Sequence, residues 1–246
     1  MIRRIGWAAR TIVGFPVIVL YTIAVCSWLM IVTRFRPDTH HTEVVARGWG
    51  WLFNFFSGVD NTIEGLEHVD RKVSYVVVSN HLSNLDAPYH LGTMPVGVRF
   101  LAKKELYRIP LFGPTLRAVG MVETDRQAHA AAHAVINRQV DRVVGMGRSL
   151  LIYPEGTRSR DAELHDFKKG AFRIAVQNGM PVLPVAFAGT NHVWPPGQWH
   201  WQGGKVKMVF HPPIPTAGLG EEAIQPLREQ VHRIIGETYQ RIRHEV

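Results

Sequence analysis

The sequence predicts an α/β fold: a mixed, largely parallel sheet flanked by helices, behind an N-terminal helical segment that associates with a membrane. Three observations carry that expectation. From about residue 58 onward, short β-branched runs alternate with helix-patterned stretches. Two of those runs end abruptly in polar residues, one set around His81 and Asp86, the other around Glu155 and Arg158. Near the N-terminus, Thr11 to Thr33 contains 23 residues without a charged side chain. The expected division is therefore a membrane-associating part over residues 1–57 and an α/β domain over residues 58–246.

At about 1.5 Å per residue, the uncharged run forms a helix of roughly 34 Å, enough for a bilayer core. It is too long for the apolar region of a cleaved signal peptide, and no small-x-small site follows it before Arg34. Arg3, Arg4 and Arg10 precede it, and Arg34 and Arg36 follow. Arginines at both ends select no orientation. Pro16 is a potential kink. A second apolar segment, Trp49 to Phe56, is rich in the aromatics that prefer the membrane interface. A hairpin that enters one leaflet and returns fits these features better than a single crossing, and both fit better than a buried core helix.

Charge follows the same division. The net charge is +8, and the first 36 residues hold +5 of it, with five arginines and no acid. The other 210 residues carry 23 bases against 20 acids. A nucleic-acid site wants basic residues clustered on a folded face, so the excess points to a lipid surface instead. The single cysteine, Cys26, lies in the apolar run, where it reads as a small hydrophobe. No disulfide and no cysteine zinc site can form within this chain.

In the α/β part, Ser74–Ser79, Val98–Ala102, Arg148–Tyr153 and Val182–Phe187 read as strands. Lys205–Phe210 alternates polar and apolar residues, which suits an edge or half-exposed strand. Arg126–Met146 is alanine-rich and helical in pattern. Ile224, Leu227, Val231, Ile234, Ile235, Tyr239 and Ile242 recur at three- and four-residue steps, forming one face of a C-terminal helix. The Trp-, Pro- and Gly-rich stretch from Val193 to Gly204 reads as a surface loop.

The first polar cluster follows strand Ser74–Ser79. His81 and Asp86 lie five positions apart, about 500° around a helix, so they cannot share a helical face. They meet if His81 sits on the loop and Asp86 starts the next helix, as Asp and a nearby Pro88 favour. A histidine held by a carboxylate is a general base of fixed tautomer. No Gly-x-Ser-x-Gly elbow, His-Glu-x-x-His motif or Gly-x-x-x-x-Gly-Lys-Ser/Thr loop occurs. A base without a protein nucleophile or metal suits direct attack by a substrate hydroxyl on an activated acyl group.

The second cluster is Pro154-Glu155-Gly156-Thr157-Arg158-Ser159. Gly156 permits a tight turn, Glu155 can accept from a hydroxyl, and Arg158 offers a planar fork suited to a phosphate. Together these segments resemble the glycerolipid acyltransferase family typified by 1-acyl-glycerol-3-phosphate acyltransferases. The correspondence runs through four motifs in order, over roughly residues 60–190. They are His81 with Asp86; Ala102-Lys103-Lys104-Glu105-Leu106 with Pro110, Gly113, Gly120 and Asp125-Arg126; Glu155 to Arg158 followed by Phe167-Lys168-Lys169-Gly170; and Val182-Leu183-Pro184-Val185. Tyr153 stands where the family often has Phe.

The resemblance implies a glycerol-3-phosphate acyltransferase-like fold and a transfer reaction. His81 would deprotonate the free hydroxyl of a lysophospholipid, and Asp86 would orient the ring. Lys103 and Arg158 would hold the acceptor phosphate. Glu155, Gly156 through its backbone, and Thr157 would complete the acceptor site. The acyl donor would be a thioester of coenzyme A or acyl-carrier protein, with no bound cofactor or metal. The partners would be membrane lipid and donor, not nucleic acid, and the location the cytoplasmic face of the inner or plasma membrane. The implied product is phosphatidic acid. Another lysophospholipid or a lyso-ornithine-type lipid is an alternative acceptor, and a non-catalytic lipid-binding protein is a more distant alternative.

Overall fold

The computed structural model describes residues 2–35, 41–124 and 139–246. Two helices come first, α1 (Ile2–Phe35) and α2 (His41–Ser57). Strand β1 (Val59–Glu64) leads to β2 (Val76–Ser79), helix α3 (Asp86–Thr93), β3 (Val98–Lys103), α4 (Phe112–Ala118) and β4 (Val122–Thr124). A helix over 139–145, here α5, precedes β5 (Ser149–Ile152). The chain ends with α6 (Gly170–Gln177), β6 (Val182–Ala188), α7 (Thr190–Val193), β7 (Gly204–Phe210) and α8 (Ile224–Ile242).

The strands form one sheet in the order β1-β7-β6-β2-β5-β3-β4. Every pairing is parallel except β6 with β7. This is the mixed, largely parallel sheet that alternating strand and helix patterns call for. Strands β2, β5 and β6 are buried at every position, as β-branched runs covered on both faces should be. Each fully buried Val or Leu contributes about 1.5–3 kcal/mol relative to exposure. Pro184, inside β6, lacks an N–H, so the only bond it can lose on the β7 side is the one to His211, just past the end of that strand. The antiparallel pairing in β7 begins at Val185–Phe210; just past it the Pro184 carbonyl accepts the His211 N–H at 3.0 Å, and the Val182–Ile214 bridge follows.

Two strands escape the sequence pattern. β1 reads Val-Asp-Asn-Thr-Ile-Glu, with too few apolar residues to announce a strand, and it forms the sheet edge. β4 has only three residues. Because β1 takes the edge, β7 lies between β1 and β6 rather than at an edge, although its first half is only partly buried. The C-terminal helix buries Ile224, Leu227, Val231, Ile235, Tyr239 and Ile242 as expected, and Ile234 is half-buried at the stripe's margin. Of the helix expected over Arg126–Met146, residues 139–145 are helical, while Asp125, Arg126 and positions through 138 lie outside the described residues.

The N-terminal helices run antiparallel. Near one end the Arg10 guanidinium donates to the Phe55 carbonyl, and further along Trp49 Nε1–H donates to Thr22 Oγ1 at 2.9 Å. Helix α2 is bound to the sheet layer through α3, where a Cβ on Gly50 would strike the Pro88 carbonyl oxygen and the backbone of Gly92. Two glycines thus allow the helix axes to approach at a distance no other residue permits. Within Gly6–Phe35 of α1, the most apolar 18-residue window has a mean hydropathy of 2.3, and only 17% of it is buried. The helix is long and apolar enough to cross a membrane. It also sends Ile18, and α2 sends Phe53, into the same hydrophobic core as the sheet.

The stretch from Val193 to Gly204 departs from the expectation of a surface loop. Trp201 is fully buried and Trp194 half-buried, both against α1 and α2. Gly and Pro correctly signalled irregular backbone. The tryptophans mark where that backbone is packed.

Candidate active site

Parallel strands deliver their following loops to one edge of a sheet, where ligand sites form. Here β2 lies between β5 and β6, so three loops meet: 80–85 after β2, 153–159 after β5, and Gly189-Thr190 after β6. Asn80 sets the first loop in place. Its side-chain amide donates to the Phe187 carbonyl at 2.8 Å and accepts the Phe187 N–H at 3.0 Å, continuing the β2–β6 ladder as a strand residue would. On the other side, His81 N–H donates to Glu155 Oε1 at 2.7 Å, and Ser159 N–H donates to the His81 carbonyl at 2.8 Å. The backbone of His81 and its neighbour is thereby pinned from both flanking strands.

Asp86 opens α3 as its first residue, one place past the cap position that Leu85 holds, and the structure brings it to His81. His81 Nδ1 lies 2.6 Å from Asp86 Oδ2. The same oxygen accepts the N–H of Leu82 at 2.6 Å and of Ser83 at 2.8 Å, while Oδ1 accepts the Thr190 hydroxyl at 2.6 Å. Four donors converge on one buried carboxylate, which suits its charged, acceptor-only form. With Asp86 accepting, the imidazole proton sits on Nδ1 and Nε2 is left as the basic nitrogen. The His81 side chain keeps 16% of its surface exposed and Asp86 none, so the imidazole is the part a substrate can reach.

The ring is also held by its face. Tyr153, at the end of β5, stacks on His81 with centroids 4.2 Å apart and planes 12° from parallel. Below lies His90, where the Nδ1–H is shared between the Asp86 backbone carbonyl at 2.8 Å and the Tyr153 hydroxyl oxygen at 3.1 Å. Burial holds His90 down at about 4, so it stays neutral at physiological pH. Burial also raises the Tyr153 hydroxyl well above its ordinary value.

Glu155 is buried and bridges two segments, accepting His81 N–H on Oε1 and His165 N–H at 3.1 Å on Oε2. Burial pushes its carboxyl up to about 7, against the pull of those two N–H donors. Gly156 turns the chain with φ +76°, and the Lys168 ammonium fills the space a Cβ would need. That turn leaves Thr157 and Arg158 exposed on a cavity of about 420 Å³, shared with Ser83, Asn84, Arg160 and Pro196.

The predicted residues therefore fall into three groups. His81 and Asp86 form a bonded pair. Thr157 and Arg158 line the cavity beside the loop that carries the pair. Glu155 and Gly156 lie behind it as the brace and the turn. Lys103 ends β3 at the same sheet edge with an exposed side chain, and it does not line this cavity. Thr190, Ser83, Asn80, His90 and the stacking role of Tyr153 escaped the sequence. Asn80 and Thr190 stand one and two residues past strand ends, where loops carry function; nothing local announces the roles of the others.

The chain is similar to known proteins over most of its length. A family model described as Acyltransferase matches residues 60–188, more than half of the chain. A 1-acyl-sn-glycerol-3-phosphate acyltransferase of Limnanthes alba is 32% identical over 223 residues, covering 88% of this chain and 77% of the relative. The corresponding protein of Limnanthes douglasii is 31% identical over 75% of this chain, and the chain spans 65% of that relative's length. The crystal structure of the 1-acyl-sn-glycerophosphate (LPA) acyltransferase PlsC from Thermotoga maritima superposes with a TM-score of 0.80 at 27% identity, covering 98% of this chain and 97% of the other. With the loop that carries the His81–Asp86 pair and the Glu155–Arg158 turn both inside the matched region, the chain belongs to the acyltransferase family.

Proposed function

We propose that the protein transfers a fatty acyl group from an acyl thioester to the free hydroxyl of 1-acyl-sn-glycerol-3-phosphate, forming phosphatidic acid in phospholipid biosynthesis. The single observation that carries this reading is the 2.6 Å His81–Asp86 contact on a loop that also lines a cavity bearing Arg158. His81 Nε2 accepts the hydroxyl proton as the oxygen attacks the thioester carbonyl. The new carbon–oxygen bond forms, the carbon–sulfur bond breaks, and the proton passes to the departing thiolate. Asp86 fixes the tautomer and offsets the imidazolium charge. Thr157 and Arg158 hold the acceptor's glycerol phosphate, and Gly156 shapes the turn that presents them. Glu155 keeps the two loops in register and Lys103 adds positive charge at the same edge. The donor is acyl-CoA or acyl-carrier protein, and no resident cofactor takes part.

In this proposal the reaction runs at the cytoplasmic face of the inner or plasma membrane, with residues 1–57 as the membrane-associating part and residues 58–246 as the catalytic domain. A lysolipid arrives from the membrane plane, so an apolar hairpin beside the site suits the substrate. The test is a purified-enzyme assay that pairs a panel of lysolipids with both donors. Lysophosphatidate should be the preferred acceptor. His81→Ala should lower turnover by about 10²–10⁴-fold with folding intact. A preference for a phosphate-free acceptor, or full turnover in His81→Ala, would overturn the reading.

A further inference from the structure

Helix α7 grips the catalytic loop at two points. At its first residue, the Thr190 hydroxyl donates to Asp86 Oδ1 at 2.6 Å, with both side chains fully buried. Just past its end, the Trp194 carbonyl accepts the Ser83 hydroxyl at 2.9 Å, and Ser83 N–H in turn donates to Asp86 Oδ2. A four-residue helix cannot hold itself in place, since one turn of hydrogen bonds does not offset the ordering it requires. Packing on its far side must do so.

That far side is the N-terminal hairpin. Trp194 meets Phe15 of α1 edge-on at 5.6 Å and lies 6.5 Å from Phe53 of α2. Trp201, where the same loop returns, stacks on Phe15 at 4.7 Å and 14°. Its backbone N–H donates to Thr11 Oγ1 at 3.0 Å. Between the two tryptophans, Pro196 and Gly197 line the cavity that Arg158 shares. One short segment thus touches the hairpin, the cavity and the carboxylate that orients His81.

We infer that α7 and the tryptophan loop are a strut through which the N-terminal hairpin positions the His81–Asp86 pair. Thr190, Trp194 and Trp201 are its positioning residues, and Phe15 is its seat. The hairpin then does more than moor the enzyme: its packing sets the geometry of the base. The inference rests on the acyltransfer reading above.

The experiment uses the full chain in detergent micelles, with acyl-CoA and a short-chain lysophosphatidate, so that bilayer binding does not enter the rate. Thr190→Val keeps the volume and loses the donor. It should lower kcat about tenfold to a hundredfold, the scale of a small misplacement of reacting groups, with both KM values nearly unchanged. Thr190→Ser should restore most of the rate. Phe15→Ala should lower kcat in the same way, and the double variant Thr190→Val/Phe15→Ala should lose less than the product of the two single losses, because both act on one carboxylate. If Phe15→Ala shows no cooperative melting, Phe15→Leu replaces it. Wild-type kcat in Thr190→Val, or a Phe15 variant that loses vesicle binding but keeps full kcat in micelles, would overturn the strut. An inactive wild-type enzyme would instead overturn the acyltransfer reading, a separate failure. The His81 Nδ1–H proton resonance should shift in both variants, and its constancy would also count against the inference.

Discussion

Tyr153 lies flat against the imidazole of His81, 4.2 Å between centroids and 12° from parallel, while its hydroxyl reaches His90 at 3.1 Å. Two directions of the His81 ring are thus fixed by different chemistry. Asp86 sets its rotation in plane by a hydrogen bond, and Tyr153 sets its tilt by a face contact. An aromatic pair of this kind contributes about 0.5–1.5 kcal/mol beyond area burial. Tyr153→Phe keeps the face and should leave kcat nearly unchanged. Tyr153→Leu removes it and should lower kcat by up to about tenfold with little change in KM. Steady-state kinetics of the two variants check this, and equal losses in both would assign the effect to the hydroxyl instead.

Glu155 gives a pH prediction with a definite sign. Its folded-state value is raised to about 7 by burial, from an ordinary 4.5, so between those limits the folded protein binds more protons than the unfolded chain. Its contribution to stability is therefore fully present below about 4.5 and is lost as pH rises through about 7. His90, held down at about 4 by burial, works the other way, adding stability as pH rises from about 4 toward 6.5. The wild-type curve alone mixes the two. The difference in melting temperature between wild type and Glu155→Gln isolates the glutamate, and it should shift against the wild type as pH rises from about 5 to 8. A difference that does not vary with pH would show that Glu155 does not titrate in this window.

How much of this was legible in the sequence depends on whether a residue works through its neighbours along the chain or across the sheet. The β2, β5 and β6 runs are buried at every position and apolar at all but Ser79 and Ser149, because both faces are covered, so composition alone marks them. His81 and Asp86 are visible because a strand ends beside them and a helix begins. β1 is invisible because an edge strand need bury few side chains, and Val59-Asp60-Asn61 looks like any loop. Thr190 reaches Asp86 from 104 positions away, a contact that exists only because β6 lies beside β2. Trp201 reads as a loop residue until α1 is packed against it. Lys103 shows the converse: the motif names it, and the fold leaves it exposed and off the cavity that Arg158 lines.

That separation of Lys103 and Arg158 predicts unequal effects. Arg158→Lys keeps the charge and loses the two-pronged donor set, so the acceptor KM should rise about tenfold while the donor KM stays constant. Lys103→Ala removes an exposed charge that does not touch the cavity lining, so its effect should be smaller and should fade with added salt. Acceptor KM measured for both variants at low and high salt checks this. A Lys103→Ala effect as large as that of Arg158→Lys at high salt would place both side chains on the phosphate.

Glu43 ties the hairpin to the sheet. It stands in the first turn of α2, forms an ion pair with the buried Arg99 of β3, and lies 3.0 Å from Arg148 Nε just before β5. Arg99 also donates to the Val98 and Val119 carbonyls. Glu43→Ala removes a counter-charge from the buried Arg99, and breaking such a pair costs about 3–5 kcal/mol. For a chain of this size each ~1 kcal/mol lowers the melting temperature by about 2–4 °C. Calorimetry should therefore show a fall of about 6–20 °C in Glu43→Ala. The paired change of Glu43 and Arg99 to apolar residues of similar volume should recover much of it. A small loss in Glu43→Ala would show that the Glu43–Arg99 pair does not carry this tie.

The membrane face needs a gentler test than truncation. Deleting α1 would also strip Ile18 from the core, Phe15 from Trp201, and the acceptor Thr11 from the Trp201 amide, so lost binding could not be told from lost folding. The outward side of α1 offers a cleaner handle. Ile12, Leu20 and Ile31 are 63%, 66% and 63% exposed and lie away from those contacts. Moving such side chains into lipid contributes about 1.5–3 kcal/mol each. Replacing all three with Asn should therefore lower vesicle affinity by at least about a hundredfold, with the melting temperature in detergent close to that of the wild type. Sedimentation with lipid vesicles reads the first effect and calorimetry the second. Undiminished sedimentation would move the anchor to α2, where Trp51 and Phe55 are the exposed aromatic pair.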